Sequence, residues 1–294
     1  MNIRPEPELR LRTTLGSGGT ALLEAGVQDL DDLEKLEGVL ARAGGRPFVL
    51  GLGSNILAME GALPLVLLQL EPQRRVTLLR ETPAQVTIRV WGGDPLPWLL
   101  GWAQRNSLSG MEQLVGIPGS VGGAVAMNAG SYGMSLSDVV ERVQLFSPEH
   151  GLCWIEPGQW RAGYRSFTVP GETGPWWMVT AVEMRLARSD RALIGRVMRD
   201  TYLRKKSTQP VLAKTCGCLF KNPSPDLAAW RILADCGLRG KRIGDMALSD
   251  MHCNFLVNLG RGTGSEALEL VQMARERVRE EQGLDLQLEV KVVQ

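Results

Sequence analysis

The chain of 294 residues contains only two histidines and five cysteines, and both small numbers exclude common kinds of site. The histidines lie far in sequence from Cys216 and Cys218, so this C-x-C pair lacks the usual partners of a zinc site. The number of cysteines is odd, and their spacings are not those of a disulfide framework. The sequence therefore predicts a reduced, cytoplasmic protein without a bound metal.

The sequence also lacks an excess of charge and any long hydrophobic run. Lys and Arg total 33 and Asp and Glu total 32, a net charge of +1 that gives no support for a nucleic-acid-binding surface. The longest apolar run, residues 63–68, contains Pro64 and is far shorter than the roughly 18 residues of a membrane span. Residues 1–12 carry charges and prolines, so they cannot act as a secretory signal. We therefore expect no nucleic acid and no membrane, and no obligate protein partner is evident from the sequence.

Glycine is abundant, with 34 residues, and the hydrophobic pattern around it predicts short strands mixed with helices. The first part of the chain has helical spacing at 29–45 and 95–106. Strand patterns occupy the other segments, which are 47–51, 63–70, 86–91, 140–146 and 177–186. This mixture predicts an α+β domain over residues 1–188.

The remainder of the chain, residues 189–294, is predicted to form a smaller α+β domain after a charged helical connector at 188–206. One helix is expected at 225–236, with Ser224 as its cap and Pro225 in the first helical position. A second is expected at 264–282, preceded by a capping box and ended by glycine. Strands are predicted at 254–259 and 286–293.

Two glycine-rich loops are the strongest candidates for ligand binding. Residues 51–55 (GLGSN) follow a predicted strand, and residues 116–133 (GIPGSVGGAVAMNAGSYG) hold the densest glycine cluster of the chain. Glycine permits positive φ and lets a phosphate approach the backbone closely. Residues 51–55 match neither G-x-G-x-x-G nor the P-loop pattern, so neither a Rossmann site nor an NTPase is supported. Tight turns without a ligand are the alternative for each loop, whereas two such loops together fit an extended ligand with a pyrophosphate.

Seven segments, in sequence order, together resemble one known family. They are residues 13–19 (TTLGSGG), 51–55, 116–133, 163–166 (GYRS), 218–223 (CLFKNP), 249–255 (SDMHCNF) and 286–291 (LQLEVK). The chain resembles the UDP-N-acetylenolpyruvoylglucosamine reductases, also called UDP-N-acetylmuramate dehydrogenases, from about residue 10 to the C-terminus.

This resemblance implies an NADPH-dependent flavoenzyme that reduces UDP-N-acetylglucosamine enolpyruvate to UDP-N-acetylmuramate, a peptidoglycan precursor. FAD would be held noncovalently in residues 1–188, in two subdomains divided near residue 70 and resembling the vanillyl-alcohol oxidase FAD-binding fold. Residues 189–294 would bind the substrate. Reduced FAD would give a hydride to C3 of the enolpyruvyl ether, and C2 would then take a proton.

By the same resemblance, the cofactor-binding residues come from the two glycine loops. They are Leu52, Gly53, Ser54, Asn55, Ile56, Gly116, Ile117, Pro118, Gly119, Ser120, Gly122, Gly123, Ala124, Asn128 and Gly130.

Arg165 and Glu289 match the family's catalytic positions. The guanidinium fork of Arg165 suits a carboxylate, and the alternative is a surface arginine. Glu289 would have to be protonated or linked through water to help an enolate, and the alternative is a charged residue on an edge strand. Tyr164, Lys206 and Asn222 match substrate-binding positions, although Lys206 lies in a basic run that could simply be solvated.

Cys218 stands where many members of the family have a serine that protonates C2. A thiol with the ordinary pKa of about 8.5 is a stronger acid than a hydroxyl and is still mostly protonated at neutral pH, so the substitution preserves the acid role. A buried structural cysteine is the alternative for Cys218 and our interpretation of Cys216. The segment between Arg165 and Cys218 is short, which resembles the compact type of the family without the extra substrate-covering loop.

Two other functions compete with the reductase. A flavin oxidase of an alcohol or sugar would commonly tether its flavin through His or Cys near the glycine loops, and residues 51–133 contain no histidine. A binder of nucleotide sugars without catalysis would not need Arg165, Cys218 and Glu289 together.

Overall fold

The computed structural model describes residues 1–172 and 174–294, which fall into two compact units built from separated segments of the chain. The first unit consists of Met1–Pro5, Leu23–Leu52 and Pro64–Arg204, and the second of Glu6–Leu22, Gly53–Leu63 and Lys205–Gln294. These units are defined by packing. The predicted division by function into 1–188 and 189–294, with subdomains split near 70, stays a prediction.

Strands outnumber helices in the described part of the chain. The strands are β1 (Asn2–Pro5), β2 (Thr20–Val27), β3 (Arg46–Val49), β4 (Ile56–Ala58), β5 (Ala62–Leu70), β6 (Val76–Glu81), β7 (Gln85–Trp91), β8 (Leu108–Ser109), β9 (Gly130–Ser131), β10 (Met134–Ser135), β11 (Val140–Ser147), β12 (Gly151–Ile155), β13 (Arg161–Gly163), β14 (Ser166–Thr168), β15 (Met178–Arg188), β16 (Lys214–Cys218), β17 (Arg242–Ile243), β18 (Met246–Leu248), β19 (Phe255–Asn258) and β20 (Lys291–Val293). The α-helices are α1 (Leu36–Ala43), α2 (Leu96–Arg105), α3 (Val121–Ala126), α4 (Arg191–Thr208), α5 (Ala229–Asp235) and α6 (Gly264–Gln282). This mixture confirms the predicted α+β class.

The first unit is built on two sheets. One has the strand order β1-β2-β5-β3, in which β1 and β2 are antiparallel and β3 and β5 are parallel. The other is antiparallel, with the order β12-β11-β15-β7-β6 and β8 beside β15. Helices α2 and α3 contribute Leu96, Leu99 and Val121 to the core of this second sheet. The division between the units falls inside β2 and β5.

The second unit packs α5 and α6 around an antiparallel sheet with the order β16-β19-β18-β17. Strand β4 pairs in parallel with β20, so a segment from early in the chain lies beside the C-terminal strand. Helix α6 follows the sequence prediction at both ends: Thr263 and Glu266 form the capping box, and Gly283 ends the helix at φ +66°. Among the described residues, no helix has both the length and the hydrophobicity of a membrane span.

Two elements of the second unit are shorter than the sequence predicts, so their predicted bounds are wrong. The helix expected at 225–236 begins only at Ala229, because Ser224 accepts the backbone N–H of Leu227 in a turn and the side chain of Asn222 accepts the N–H of Ala229 at 3.0 Å. The strand expected at 286–293 is reduced to Lys291–Val293, and Leu288 forms only an isolated bridge with Phe220.

Candidate functional site

The glycine loop at 116–133 passes through helix α3 in the first unit. Gly116 and Gly119 precede the helix with φ of +82° and +134°, values that L side chains rarely adopt. The first three backbone amides of α3 donate within the unit, to the carbonyls of Asp94 and Gly92 and to the hydroxyl of Ser120 (2.8, 2.7 and 3.2 Å). These three amides are therefore occupied by protein acceptors, and the phosphate contacts expected of this loop stay a prediction.

The glycines of α3 serve two different purposes. A Cβ on Gly122 would lie 2.8 Å from the carbonyl oxygen of Val179, so this glycine lets the helix pack on β15. A Cβ on Gly123 would meet only the hydroxyl of Ser120, at 3.2 Å, and Gly123 is half-buried. Packing thus explains why residue 122 is a glycine, but it does not explain the glycine at position 123.

The two glycine loops meet within the first unit. A Cβ on Gly51 would lie 2.7 Å from the hydroxyl oxygen of Ser120, and the Gly51 carbonyl accepts a hydrogen bond from the side chain of Gln69 at 2.9 Å. Leu52 follows as a partly exposed side chain. Side chains at Gly51 and Gly123 would fill the space around Ser120, so these residues fit a cradle for a flavin nucleotide.

Asn128 has its side chain committed to protein partners. Its Nδ2 donates to the carbonyl of Gly163 at 2.9 Å, and its Oδ1 accepts the N–H of Ser137 at 3.1 Å. Asn128 is buried and has φ of +40°. It therefore connects the end of α3 with the hairpin that carries Arg165.

Arg165 lies at the tip of the hairpin formed by β13 and β14. The turn consists of Tyr164 and Arg165, and Arg165 has φ of +52°, an uncommon value for a residue other than Gly, Asn or Asp. Its guanidinium lies 5.0 Å from the centre of the Tyr164 ring, and Tyr164 is 52% exposed. Phe167, buried and stacked on Trp160 at 5.3 Å, anchors the hairpin.

Residues 53–56 of the first loop belong to the second unit. Gly53 has φ of +64°, and a Cβ there would lie 2.0 Å from the Arg12 carbonyl oxygen, so this glycine is required by packing. Asn55 donates from Nδ2 to the Glu289 carbonyl at 3.1 Å, and its own carbonyl accepts the N–H of Lys291 at 3.1 Å. Ile56 then begins β4 opposite Lys291. This end of the glycine motif is thus bonded to the segment that carries the predicted catalytic glutamate.

Cys218 and Glu289 lie on neighbouring extended segments of the second unit. The backbone N–H of Glu289 donates to the carbonyl of Leu219, the residue after Cys218, at 2.7 Å. Leu219 in turn donates to the carbonyl of Asn254 at 2.8 Å. Both Cys218 and Glu289 are half-buried. The structure therefore brings together two of the three predicted catalytic residues.

A bulge in β16 separates the roles of Cys216 and Cys218. Residues two apart in a regular strand face the same side, but the pairing with β19 shifts between Thr215 and Cys218, and Gly217 has φ of +81°. Cys216 consequently lies in the core at 1% exposure, and burial raises the pKa of its thiol to about 12. Burial agrees with the interpretation of Cys216 as structural.

The predicted substrate-binding residues Lys206 and Asn222 have different surroundings. Lys206 is exposed at the end of α4, whereas the neighbouring Lys205 is 4% exposed. Lys205 lies on the same helical face as the buried residues Ile194 and Thr201. Asn222 accepts the Ala229 N–H, which starts α5.

One cluster in the described part of the chain has metal-ligand chemistry. Single ligand atoms of Glu149, His150 and Glu172 lie within 4.8 Å of one another, and the first two residues are exposed. Nδ1 of His150 already lies 3.2 Å from a carboxylate oxygen of Glu172. The expectation of no metal stays a prediction.

Comparisons with known proteins account for both parts of the chain. Residues 21–154 match the family described as "FAD binding domain", and residues 209–293 match "UDP-N-acetylenolpyruvoylglucosamine reductase, C-terminal domain". A protein of Nitratidesulfovibrio vulgaris named UDP-N-acetylenolpyruvoylglucosamine reductase is 49% identical over 98% of this chain and 97% of its own length. One of the same name from Oleidesulfovibrio alaskensis is 46% identical over 97% and 96%.

A solved structure agrees with these sequence matches. The crystal structure of UDP-N-acetylenolpyruvylglucosamine reductase from Thermus caldophilus superimposes with a TM-score of 0.82 at 34% identity and covers 100% of both chains. The chain therefore belongs to the UDP-N-acetylenolpyruvoylglucosamine reductase family and is an FAD-binding oxidoreductase.

Proposed function

We propose that Arg165, Cys218 and Glu289 act on the enolpyruvyl group of the substrate. The chain is a UDP-N-acetylmuramate dehydrogenase of peptidoglycan precursor synthesis that uses FAD and NADPH and acts on a UDP-sugar. Its substrate is then UDP-N-acetylglucosamine enolpyruvate. The observation that supports these roles best is the hydrogen bond from the Glu289 N–H to the Leu219 carbonyl, which sets Glu289 beside Cys218.

Bound FAD, once reduced by NADPH, supplies a hydride for C3 of the enolpyruvyl double bond. Negative charge then develops on the carboxylate side of that bond, as in an enolate. Arg165 offers a planar pair of N–H donors that can hold the carboxylate and stabilise this charge. It lies at the tip of a hairpin, over the Tyr164 ring, which is 52% exposed.

Cys218 donates its proton to C2, which completes the reduced lactyl ether. The sulfur is left as a thiolate and regains a proton from water before the next turnover. Glu289, protonated or acting through a water molecule, donates a hydrogen bond to the enolate oxygens. Two donors on adjacent backbone segments can thus serve neighbouring atoms of one small group.

The remaining site residues have roles on the nucleotide side. Tyr164, Lys206 and Asn222 contact the UDP part of the substrate, and backbone groups of the two glycine loops hold FAD. The chain is of the compact type, without the extra substrate-covering loop. It acts in the cytoplasm, where NADPH and UDP-sugars are available.

The test separates the two half-reactions in a stopped-flow spectrophotometer. The purified protein should be yellow, lose its flavin absorbance with NADPH in the absence of oxygen, and regain it with the enolpyruvyl substrate. Cys218→Ala should keep the first step and slow the second by about 10²–10⁴-fold, the usual worth of general acid catalysis. Cys218→Ser is the matched control and should remain active, because a hydroxyl can supply the same proton.

Each outcome decides one part of the proposal. A Cys218→Ala enzyme with native reoxidation would remove Cys218 from the mechanism. A loss of both half-reactions in Cys218→Ser would mean that the position serves packing. Reduction by an alcohol or sugar in place of NADPH would favour the flavin oxidase.

A further inference from the structure

We infer that Asn55 is a positioning residue for Glu289, although it belongs to a glycine motif that the sequence assigns to the cofactor. The inference rests on the proposed catalytic role of Glu289. It adds a function for the last polar residue of the GLGSN segment, whose side chain is bonded to a residue 234 positions later.

Both backbone polar groups of Glu289 are held. Its N–H donates to the Leu219 carbonyl at 2.7 Å, and its C=O accepts from Asn55 Nδ2 at 3.1 Å. Glu289 lies before β20, outside any regular strand, so no ladder of repeated hydrogen bonds fixes it. These two hydrogen bonds therefore fix the position of the Glu289 backbone, from which the carboxylate side chain extends.

Asn55 is itself fixed at the correct place for this contact. Its carbonyl accepts the N–H of Lys291 at 3.1 Å, and the next residue, Ile56, pairs with Lys291 in the parallel ladder of β4 and β20. Asn55 thus bonds on both sides of Val290, once through its side chain and once through its backbone. Removal of the side chain leaves the ladder in place and releases only the Glu289 carbonyl.

The side-chain chemistry of asparagine suits this task. The NH₂ group donates to a carbonyl, whereas an aspartate of the same shape would place a carboxylate oxygen against the carbonyl oxygen. Small displacements of a catalytic group are costly, since a shift of about 1 Å can reduce the rate about 10²-fold. A partial release of Glu289 should therefore slow the step in which it acts without preventing FAD from binding.

The experiment compares Asn55→Ala and Asn55→Asp with Glu289→Gln and with the double variant Asn55→Ala/Glu289→Gln. FAD affinity is measured by titrating the flavin-free protein, and the two half-reactions are measured by stopped flow. Thr263→Ala is the control for general loss of stability, because it removes the cap of α6 in the same unit without touching Glu289.

We expect Asn55→Ala to bind FAD within about threefold of the native affinity, to keep its rate of reduction by NADPH, and to be reoxidised by substrate about 10-fold more slowly. Asn55→Asp should be slower still. In the Glu289→Gln background, Asn55→Ala should cause no further loss, because a residue that acts through Glu289 has nothing left to position. Thr263→Ala should lower the melting temperature and leave reoxidation unchanged.

The outcomes separate this inference from the function on which it rests. If Glu289→Gln itself has native reoxidation, the proposed role of Glu289 fails. If Glu289→Gln is slow but Asn55→Ala is native, or if the effects of the two substitutions multiply, Asn55 does not act through Glu289. A large loss of FAD affinity with native reoxidation of the loaded protein would make Asn55 a cofactor ligand instead.

Discussion

The side-chain amide of Asn254 forms two hydrogen bonds with the backbone of Phe220. Its Oδ1 accepts the Phe220 N–H at 3.0 Å, and its Nδ2 donates to the Phe220 carbonyl at 2.8 Å. The Asn254 backbone carbonyl also accepts the N–H of Leu219. Asn254 is 2% exposed. One buried asparagine thus fixes the two residues that follow Cys218, and sequence reasoning missed this function although Asn254 stands in the recognised 249–255 segment.

Asn254→Asp should destabilise the protein by about 1–3 kcal/mol, because the buried Phe220 carbonyl loses its donor and faces a carboxylate oxygen. Asn106→Ala is the control: Asn106 is exposed and donates to the Trp102 carbonyl at 2.8 Å, so its loss should cost no more than about 0.5 kcal/mol. Urea unfolding of both variants measures the difference. Equal effects would show that the Asn254 contact contributes no more than a surface bond.

Gly122→Ala and Gly123→Ala should separate packing from cofactor binding. Gly122→Ala should lower the melting temperature of the flavin-free protein, because the new Cβ lies 2.8 Å from the Val179 oxygen. Gly123→Ala should keep or raise that temperature, since alanine favours a helix by about 0.5–1 kcal/mol and the Ser120 hydroxyl can shift slightly. Its FAD affinity should nevertheless fall. A Gly123→Ala protein that binds FAD normally would remove Gly123 from the cofactor site.

Arg165→Asn should lower the activity of the enzyme and keep or raise its thermal stability. Arg165 has a left-handed backbone that costs an ordinary residue about 1 kcal/mol, and asparagine adopts it more readily. The variant should melt at the same or a higher temperature, while reoxidation by substrate should slow about 10²–10³-fold through the loss of one electrostatic contact. Arg165→Lys keeps both the charge and the backbone strain, so it should melt like the native protein. A lower melting temperature in Arg165→Asn would show that the guanidinium stabilises the hairpin.

The elements with local signals could be predicted from sequence. The capping box at Thr263 and the glycine at 283 delimit α6 at both ends, because each signal acts within one helical turn. The start of α5 could not be predicted in this way. Its first amide is accepted by Asn222, seven residues earlier, and Ser224 is occupied in a turn.

In the candidate site, too, local motifs could be predicted from the sequence, whereas contacts between distant residues could not. The motif residues could be identified, but the partners of Asn55 and Asn128 could not, since Glu289 and Gly163 lie 234 and 35 residues away in sequence. The bulge that turns Cys218 away from the core side of Cys216 is likewise a property of the pairing of β16 with β19. Assignment of these asparagines to FAD stays a prediction.

Iodoacetamide should inactivate the enzyme through Cys218. The thiolate is the reactive form, and burial raises the pKa of Cys216 to about 12 and that of Cys253 to about 11. Both residues are also inaccessible, at 1% and 0% exposure. Mass spectrometry should find the first modification on Cys218, with protection by substrate, and Cys218→Ser should keep its activity. Inactivation with Cys218 unmodified would contradict the assignment.

Burial of His252, whose ring lies edge-on to Phe255 at 4.8 Å, should make the protein less stable in acid. Burial lowers the pKa of His252 to about 4, and the charge of Arg239 acts in the same direction. In the unfolded chain the pKa is about 6.5. Well above pH 6.5 the imidazole is neutral in both states and has no effect on the pH dependence.

Between about pH 6.5 and 4, His252 is protonated in the unfolded chain but remains neutral in the folded protein. His252 therefore makes the free energy of unfolding fall as the pH falls. His252→Phe keeps a ring between Trp230 and Phe255 and removes the titration. Urea unfolding at several pH values measures the free energy of unfolding of both proteins. As the pH falls through this window, the native protein should lose more stability than His252→Phe, whereas the difference between the two should be constant well above pH 6.5. A difference that does not change between pH 7 and 4 would mean that His252 is protonated in the folded protein as readily as in the unfolded chain.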